Sequence, residues 1–184
     1  LKLRLRDRST RKGGGMANVT VDREEIPERG KCLRSFRYVT VDGAEKLLSD
    51  FKGSRNLALI VADGPESPIL NTVAGIYQEI LDQETHVIAI LKCSRQEAVR
   101  ARDARRWPFE VSVDETGALH RELGAEDPTG AVGAAVYLTD RWAEVFFVSR
   151  TIAGDPTPTA ADLLEWLAFI NYQCPECFAS EWHG

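Results

Sequence analysis

The sequence predicts an α/β domain built around a partly parallel sheet, and three observations predict it. Two continuous apolar runs, Asn56 to Val61 and His86 to Leu91, are typical of strands buried on both faces. Stretches with helical periodicity separate the strands, which is the pattern of βαβ units. A hairpin and a last helix close the chain, so the sheet should be mixed rather than wholly parallel.

The first half of the chain is predicted to supply the central strands. "FRYVTV" (Phe36 to Val41) predicts an initial strand, and "GAEKLLSDF" predicts a short helical stretch after it. A loop rich in Pro, Gly and Ser follows the strand at Asn56 to Val61. The next helix carries an apolar stripe at the spacing i, i+3, i+4, i+7 and i+11, formed by Leu70, Val73, Ala74, Tyr77 and Leu81.

Two capping boxes define helices in the second half. Ser94 stands three residues before Glu97 and opens a helix after the strand at His86 to Leu91. Thr159 stands three residues before Asp162 and opens the last helix. One face of that helix is apolar and should meet the sheet: Leu163, Trp166, Leu167 and Ile170.

Shorter elements lie between these two helices. Phe109 to Val113 predicts a strand, and "ETGALHREL" predicts a helix that ends at Gly124. Val132 to Leu138 and Ala143 to Ser149 predict a hairpin joined through "TDRW".

Composition limits the classes of function. A chain of 184 residues and 20.5 kDa has the length of one domain. The net charge of -5 argues against a nucleic-acid partner, which would favour a basic face. No apolar run reaches about 18 residues, so no membrane span is expected. Four cysteines without an export signal favour a reducing cytoplasm.

The two ends of the chain differ from its middle. Residues 1–15 hold six basic residues and one acidic residue but lack the apolar core of a signal peptide. Met16 is interpreted as the natural start, although alternating leucines before it would also fit a short strand. The predicted division is a basic lead-in at 1–29, a domain at 30–173 and a cysteine-containing tail at 174–184.

The order of elements resembles the thioredoxin fold in its peroxiredoxin version. "LLSDFKGSRNLALIV" is similar to the stretch leading into the first core strand of the alkyl hydroperoxide reductase and thiol-specific antioxidant family. "WPFEVSVDETGALHRELGAE" is similar to that family's Asp-, Gly- and Leu-Gly-containing segment, and "AAVYLTDRWAEVFFVSR" to its closing hairpin. The similarity covers about residues 36–172. It implies a thioredoxin-like three-layer sandwich with a central mixed sheet.

The resemblance also implies where a reactive cysteine should lie: after the first core strand, where a helix N-terminus stabilises a thiolate. The equivalent loop, Ala62 to Thr72, contains no cysteine. Ser67 cannot pass through sulfenic acid or disulfide states, and Glu66 adds negative charge. The family's hairpin arginine is absent from Val132 to Leu138, while Arg141 lies in the predicted turn. Peroxidase chemistry is therefore not expected at this loop.

The remaining motif is the Cys-Pro-Glu-Cys in "INYQCPECFASEWHG". A C-x-x-C in a cytosolic protein with βαβ elements indicates a redox pair. The negative end of the preceding helix would weaken the nucleophile, but Pro175 suits the first position of a new helical turn, which would favour both thiols. Cys174 and Cys177 are therefore the candidate catalytic residues.

Two other interpretations of the tail stay open. A structural zinc site needs four ligands, and Cys174, Cys177 and His183 supply three at most. Another cysteine of the chain or a second subunit would have to supply the fourth. Alternatively, the thiols pack as small hydrophobic groups, with Trp182 as an apolar plug.

Other polar and aromatic residues are weaker candidates. Cys93 ends a core strand before a capped helix, which would favour a thiolate, although a buried structural cysteine is the simpler interpretation. Cys32 lies between basic residues and is a weak candidate for a resolving or partner-linking role. His86 is expected to start a strand, and His120 to lie on the exposed side of a short helix. Trp142, in the hairpin turn, could mark a contact surface.

The predicted function is that of a peroxiredoxin-like thiol-disulfide oxidoreductase or redox-responsive protein that uses Cys174 and Cys177. Its partners would be protein thiols, protein disulfides or a reductase, and a homodimer is compatible with the sequence. The alternative is a non-catalytic thioredoxin-fold scaffold with the tail as a clasp or zinc ligand. No cofactor is expected beyond that zinc.

Overall fold

A computed structural model of the protein describes residues 26–173, which contain seven strands and five α-helices. The strands are β1 (Arg37–Val39), β2 (Glu45–Leu47), β3 (Asn56–Ala62), β4 (Thr85–Leu91), β5 (Glu110–Val113), β6 (Ala135–Thr139) and β7 (Val145–Arg150). The helices are α1 (Pro68–Gly75), α2 (Tyr77–Asp82), α3 (Arg95–Arg105), α4 (Ala118–Glu122) and α5 (Ala160–Tyr172). None of these helices is long and apolar enough to cross a membrane.

Five strands form one mixed sheet in the order β5-β4-β3-β6-β7. β3 pairs in parallel with β4 and antiparallel with β6, so Leu59 lies between Ile88 and Tyr137. Every residue of β3 is buried, as its continuous apolar run predicts. The expectation that β3 is central and parallel to β4 is confirmed.

Helices cover one face of the sheet, and a smaller layer covers the other. Ile60 points into a core shared with α1, α2 and α5. Leu59, its neighbour along β3, points into a second core that contains side chains from β1 and from the segment after α4. The result is the expected three-layer arrangement.

The two capping boxes hold as predicted. The hydroxyl of Ser94 accepts from the Glu97 backbone N–H, and that of Thr159 accepts from the Asp162 backbone N–H. The predicted helix with the apolar stripe is divided into α1 and α2 at Ile76, whose φ of -119° and ψ of 20° leave the helical region.

The prediction of a short helical stretch for "GAEKLLSDF" is right only for its last four residues and wrong for Glu45 to Leu47. The segment forms β2, which pairs antiparallel with β1, and then a single 3-10 turn from Leu48 to Phe51. Two contacts explain the difference: Lys46 pairs with Glu110 of β5, and the Asp50 carboxylate accepts from the Leu47 N–H. A segment this short cannot offset the cost of helix nucleation when side-chain contacts favour another conformation.

The sheet has two ends with different contents. At one end lie the carboxyl ends of β3, β4 and β5, together with the loop that follows β3. At the other end lie the start of β3, the β6–β7 hairpin turn and the end of α5. Asn56 Nδ2 donates to Asn171 Oδ1 at 2.7 Å, which fixes the end of α5 beside the start of β3.

Candidate functional site

The loop after β3 occupies the position at which a reactive cysteine is expected. Ser67 is buried and precedes Pro68, the first residue of α1. Its backbone N–H donates to the Gly64 carbonyl, and its hydroxyl does not cap the helix. Among the described residues no hydrogen bond joins this hydroxyl to a general base, so nothing there activates Ser67 as a nucleophile.

An arginine does approach this loop, but it comes from α3. Arg105 donates to the Pro65 carbonyl and pairs with the Glu66 carboxylate, and its guanidinium lies 5.5 Å from the ring centre of Trp107. The mixed acidic and basic residues of α3 give no signal of this contact in the sequence. Because the guanidinium is paired with Glu66, it adds little net positive charge to the loop.

A buried acid–imidazole pair lies directly beneath the loop. His120 is fully buried, and its Nδ1 lies 2.8 Å from Asp114 Oδ2. Its Nε2 lies 3.0 Å from the carbonyl oxygen of Ala62, the last residue of β3. An imidazolium that donates from both nitrogens satisfies this geometry. The expectation that His120 is exposed is therefore wrong, because this side of the short α4 faces the sheet.

The Asp114 carboxylate is stabilised in its charged form. Burial alone would raise the pKa of Asp114, but hydrogen bonds from the His120 ring and the His120 backbone N–H outweigh it and lower the pKa to about 2. The carboxylate also accepts from the Ala118 N–H. Asp114 and His120 thus hold the end of β3 to the start of α4. With no adjacent nucleophile in the loop, the pair positions backbone rather than activating an attacking group.

A second ionic cluster closes the same end of the sheet. Lys92, which follows β4, pairs with Glu126, and Glu126 also accepts from Arg121 at 3.0 Å. These groups surround Gly117, whose φ of 72° is in the left-handed region. A Cβ at Gly117 would collide with the Glu126 carboxylate and lie 2.8 Å from Lys92 Nζ.

Cys93 is present at this end but is poorly suited to be a nucleophile. Burial raises the pKa of its thiol to about 11, and the carboxylates of Glu97 and Glu115 act in the same direction. The backbone N–H of Ala98 opposes this only in part. Although Cys93 precedes a capped helix as predicted, burial first and the nearby carboxylates second outweigh the advantage of the helix terminus.

Cys32 lies at the opposite end of the sheet and is exposed. Its segment runs beside the hairpin turn and the start of β7: the Gly30 N–H donates to the Val145 carbonyl and the Leu33 N–H to the Ala143 carbonyl, both at 2.8 Å. Arg141, in the hairpin turn, belongs to this end too and lies 3.5 Å from Glu84. It therefore does not approach the loop after β3.

The predicted catalytic residues, Cys174 and Cys177, lie outside the described residues, so their geometry stays a prediction. The structure describes the helix that leads to them, which ends at Tyr172. Within residues 26–173, no group of three or more His, Cys, Asp or Glu side chains could hold a metal ion.

Comparisons with known proteins bear on the fold. No family model matches the chain, and no curated protein matches it in sequence. The peroxidoxin BcpB of Mycobacterium tuberculosis is similar in structure, with a TM-score of 0.65 and 14% identity over 85% of this chain and 100% of that one. AhpC of Mycobacterium bovis has a TM-score of 0.66 and 15% identity over 86% of this chain and 99% of that one.

A thiol peroxidase from Chromobacterium violaceum is also similar, with a TM-score of 0.62 and 18% identity over 81% of this chain and 90% of that one. Sequence identities this low show the fold alone. The fold is thioredoxin-like and of the peroxiredoxin type, as the resemblance implies.

Proposed function

We propose that the protein is a thiol-disulfide oxidoreductase in which Cys174 is the nucleophile and Cys177 resolves the mixed disulfide. The observation that carries this proposal is the occupation of the loop after β3 by Ser67 and Pro68, which leaves the usual reactive position of this fold without a thiol. The Cys-Pro-Glu-Cys at 174–177 is the one C-x-x-C in the chain.

The other two cysteines support this assignment by their own chemistry. With a pKa of about 11, Cys93 would be thiolate in only about one molecule in ten thousand at neutral pH. Cys32 is exposed, but a single thiol cannot complete a two-step exchange by itself. Pro175 favours a helical turn that begins at Cys174, which would lower the pKa of that thiol.

The reaction follows ordinary thiol-disulfide exchange. The Cys174 thiolate attacks a disulfide of the substrate protein, forms a mixed disulfide and releases one substrate thiolate. The Cys177 thiolate then attacks Cys174 Sγ, forms the Cys174–Cys177 disulfide and releases the second substrate thiolate. The substrate gains two electrons, the pair loses two, and a dithiol reductant restores the pair.

Reduction of insulin disulfides in the presence of dithiothreitol tests the proposal. We expect the full chain to accelerate reduction, and Cys174→Ser to abolish that acceleration. Cys177→Ser should accumulate the mixed disulfide, which mass spectrometry detects. Cys93→Ser is the matched control and should retain activity. An unchanged rate for the double variant at Cys174 and Cys177 would show that the pair is not the reactive group.

A non-catalytic scaffold is the second candidate. The paired charges around the loop after β3 favour it, since Arg105 with Glu66 and Asp114 with His120 leave no activated group there. In this case the tail is a clasp or contributes to a zinc site, and the protein acts through self-association or a partner. Zinc near stoichiometry in the purified protein, with no insulin reduction, would favour it. In either case we propose a reducing, cytoplasmic compartment.

A further inference from the structure

A cavity of about 270 Å³ opens at the end of the sheet that holds the hairpin turn. Its floor is apolar and is formed by the buried side chains of Leu33, Leu48 and Leu57. Phe51 and the partly exposed Trp142 also line it. An apolar floor that opens to solvent favours an occupant with an apolar group to bury.

The polar lining of this cavity is mainly cationic. Four basic side chains line it, against one acidic side chain: Arg34, Lys52, Arg55 and Arg141, against Asp140. The Asp140 carboxylate is already engaged, because it accepts from the backbone N–H groups of Trp142 and Glu144. Arg141 has a partner, Glu84, at 3.5 Å. Lys52 also has an interaction partner. Arg34 and Arg55 have no acidic partner among the described residues, and these two arginines favour an occupant that carries carboxylates.

The size of the cavity favours a side chain over a larger ligand. Pockets for drug-sized molecules usually measure about 300–1,000 Å³, so this cavity lies just below that range. One aromatic side chain with acidic neighbours fits its volume, floor and charge. The residues after α5 have this composition: Trp182 directly follows Glu181, and Glu176 lies closer to the helix.

The chain leaves α5 close to the cavity. Asn171 is hydrogen-bonded to Asn56, and Arg55, the next residue back along the chain, lines the cavity. From standard backbone and side-chain dimensions, the Cα atoms of Gln173 and Arg55 are at most roughly 20 Å apart. α5 packs on the face of the sheet opposite to the cavity. The tail therefore has only to pass around the end of the sheet that holds the hairpin turn.

The available chain length favours Trp182 over Phe178. Phe178 is five residues beyond Gln173 and can extend at most about 17 Å, which does not span the full bound of roughly 20 Å. Trp182 is nine residues beyond Gln173 and can extend about 30 Å.

We propose that the cavity binds this chain's own C-terminal segment, with the indole of Trp182 on the apolar floor and Glu181 beside the arginines of the rim. The docked segment brings the Cys-Pro-Glu-Cys pair to the end of the sheet where Cys32 lies. Cys32 itself lines the cavity. Cys177 is five residues before Trp182, so its sulfur comes within reach of Cys32.

The consequence for the thiols rests on the proposed function. The Cys32 thiolate attacks Cys177 Sγ of the Cys174–Cys177 disulfide, a Cys32–Cys177 bond forms, and the Cys174 thiolate leaves. No net oxidation occurs. Cys174 is thereby regenerated as a nucleophile while the oxidising equivalents are held at Cys32.

Cys93 provides an internal control for proximity. It follows the far end of β4, and the paired strands β3 and β4 are seven residues long, so it lies about 20 Å further along the sheet than the start of β3. After oxidation of the full chain with oxidised glutathione and an acid quench, mass spectrometry should find tail disulfides to Cys32. These should exceed tail disulfides to Cys93 by about tenfold or more.

Two substitutions test the docking itself. Arg55→Glu replaces attraction to the acidic tail with repulsion and should lower the Cys32–Cys177 yield by roughly threefold to tenfold. Trp182→Ser should lower it similarly. Arg100→Glu, at an exposed position on α3 away from the cavity, is the matched control and should leave the yield unchanged.

Amide hydrogen exchange separates docking from redox activity. In the full chain with Cys174→Ser and Cys177→Ser, Trp182→Ser should raise exchange of residues 48–55 about threefold or more if docking is real. No change in exchange would overturn the proposal even if insulin reduction succeeds. Exchange that depends on protein concentration would also overturn it, because the occupant would then be the tail of a second copy.

Discussion

Removal of the Asp114 charge should weaken the domain in a way that depends on pH. Asp114→Asn keeps the size of the side chain and an oxygen that can accept from His120, so it deletes mainly the charge. Asp114 is 6% exposed, and its pKa is about 2, well below its ordinary value of 3.8. Because the pKa is lower in the folded state, the carboxylate stabilises the fold above pH 4 and loses this effect as the pH falls toward 2.

The size of the expected stability loss follows from the lowered pKa of Asp114. A difference of about 1.8 pH units corresponds to roughly 2 kcal/mol of unfolding free energy at pH 7. At pH 3 the same relation leaves roughly half of that. Asp114→Asn should therefore cost about 2 kcal/mol at pH 7 and about 1 kcal/mol at pH 3.

Urea unfolding followed by circular dichroism at both pH values measures this difference. Asp63→Asn is the control, because Asp63 is exposed in the loop after β3, and it should change stability by less than about 0.5 kcal/mol. An equal loss at pH 7 and pH 3 for Asp114→Asn would show that its charge is not the source of the stabilisation.

Three further outcomes are expected. Leu59→Ala, in the fully buried centre of β3, should lower the unfolding free energy by about 2–5 kcal/mol in urea unfolding, whereas the exposed Leu47→Ala should cost far less. Thr159→Ala removes a cap and should cost about 1 kcal/mol in the same measurement. In the native protein at pH 7.5, iodoacetamide followed by peptide mapping should modify Cys32 well before Cys93; modification of Cys93 first would contradict its raised pKa.

The elements that the sequence predicts well are those determined by local or one-dimensional patterns. The continuous apolar runs predict β3 and β4 correctly, because a strand that is buried on both faces has apolar side chains on both. The capping boxes at Ser94 and Thr159 predict where α3 and α5 begin, because all the hydrogen bonds of a capping box form within four consecutive residues.

The incorrect predictions concern segments whose conformation depends on contacts with residues far away in the sequence. Residues 45–51 form β2 and a turn because Lys46 pairs with Glu110, a residue 64 positions away. His120 is buried because it bonds to Ala62, 58 positions earlier. A detectable signal for His120 was Asp114, an acidic residue at the end of a predicted strand just before the helix. The cavity was not predictable, since its lining comes from three separate segments of the chain, within 32–35, 48–57 and 139–143.

The distribution of charge supports the proposal that activity lies away from the loop after β3. At that end of the sheet, ionic groups are paired with each other: Asp114 with His120, Lys92 with Glu126 and Arg105 with Glu66. A substrate anion or thiolate there would have to compete with the carboxylates that already pair with Lys92 and Arg105. The opposite end instead combines an apolar floor, an excess of cationic side chains and the exposed Cys32. Because α5 ends beside the start of β3, the proposed thiol chemistry should depend on the hairpin end of the sheet.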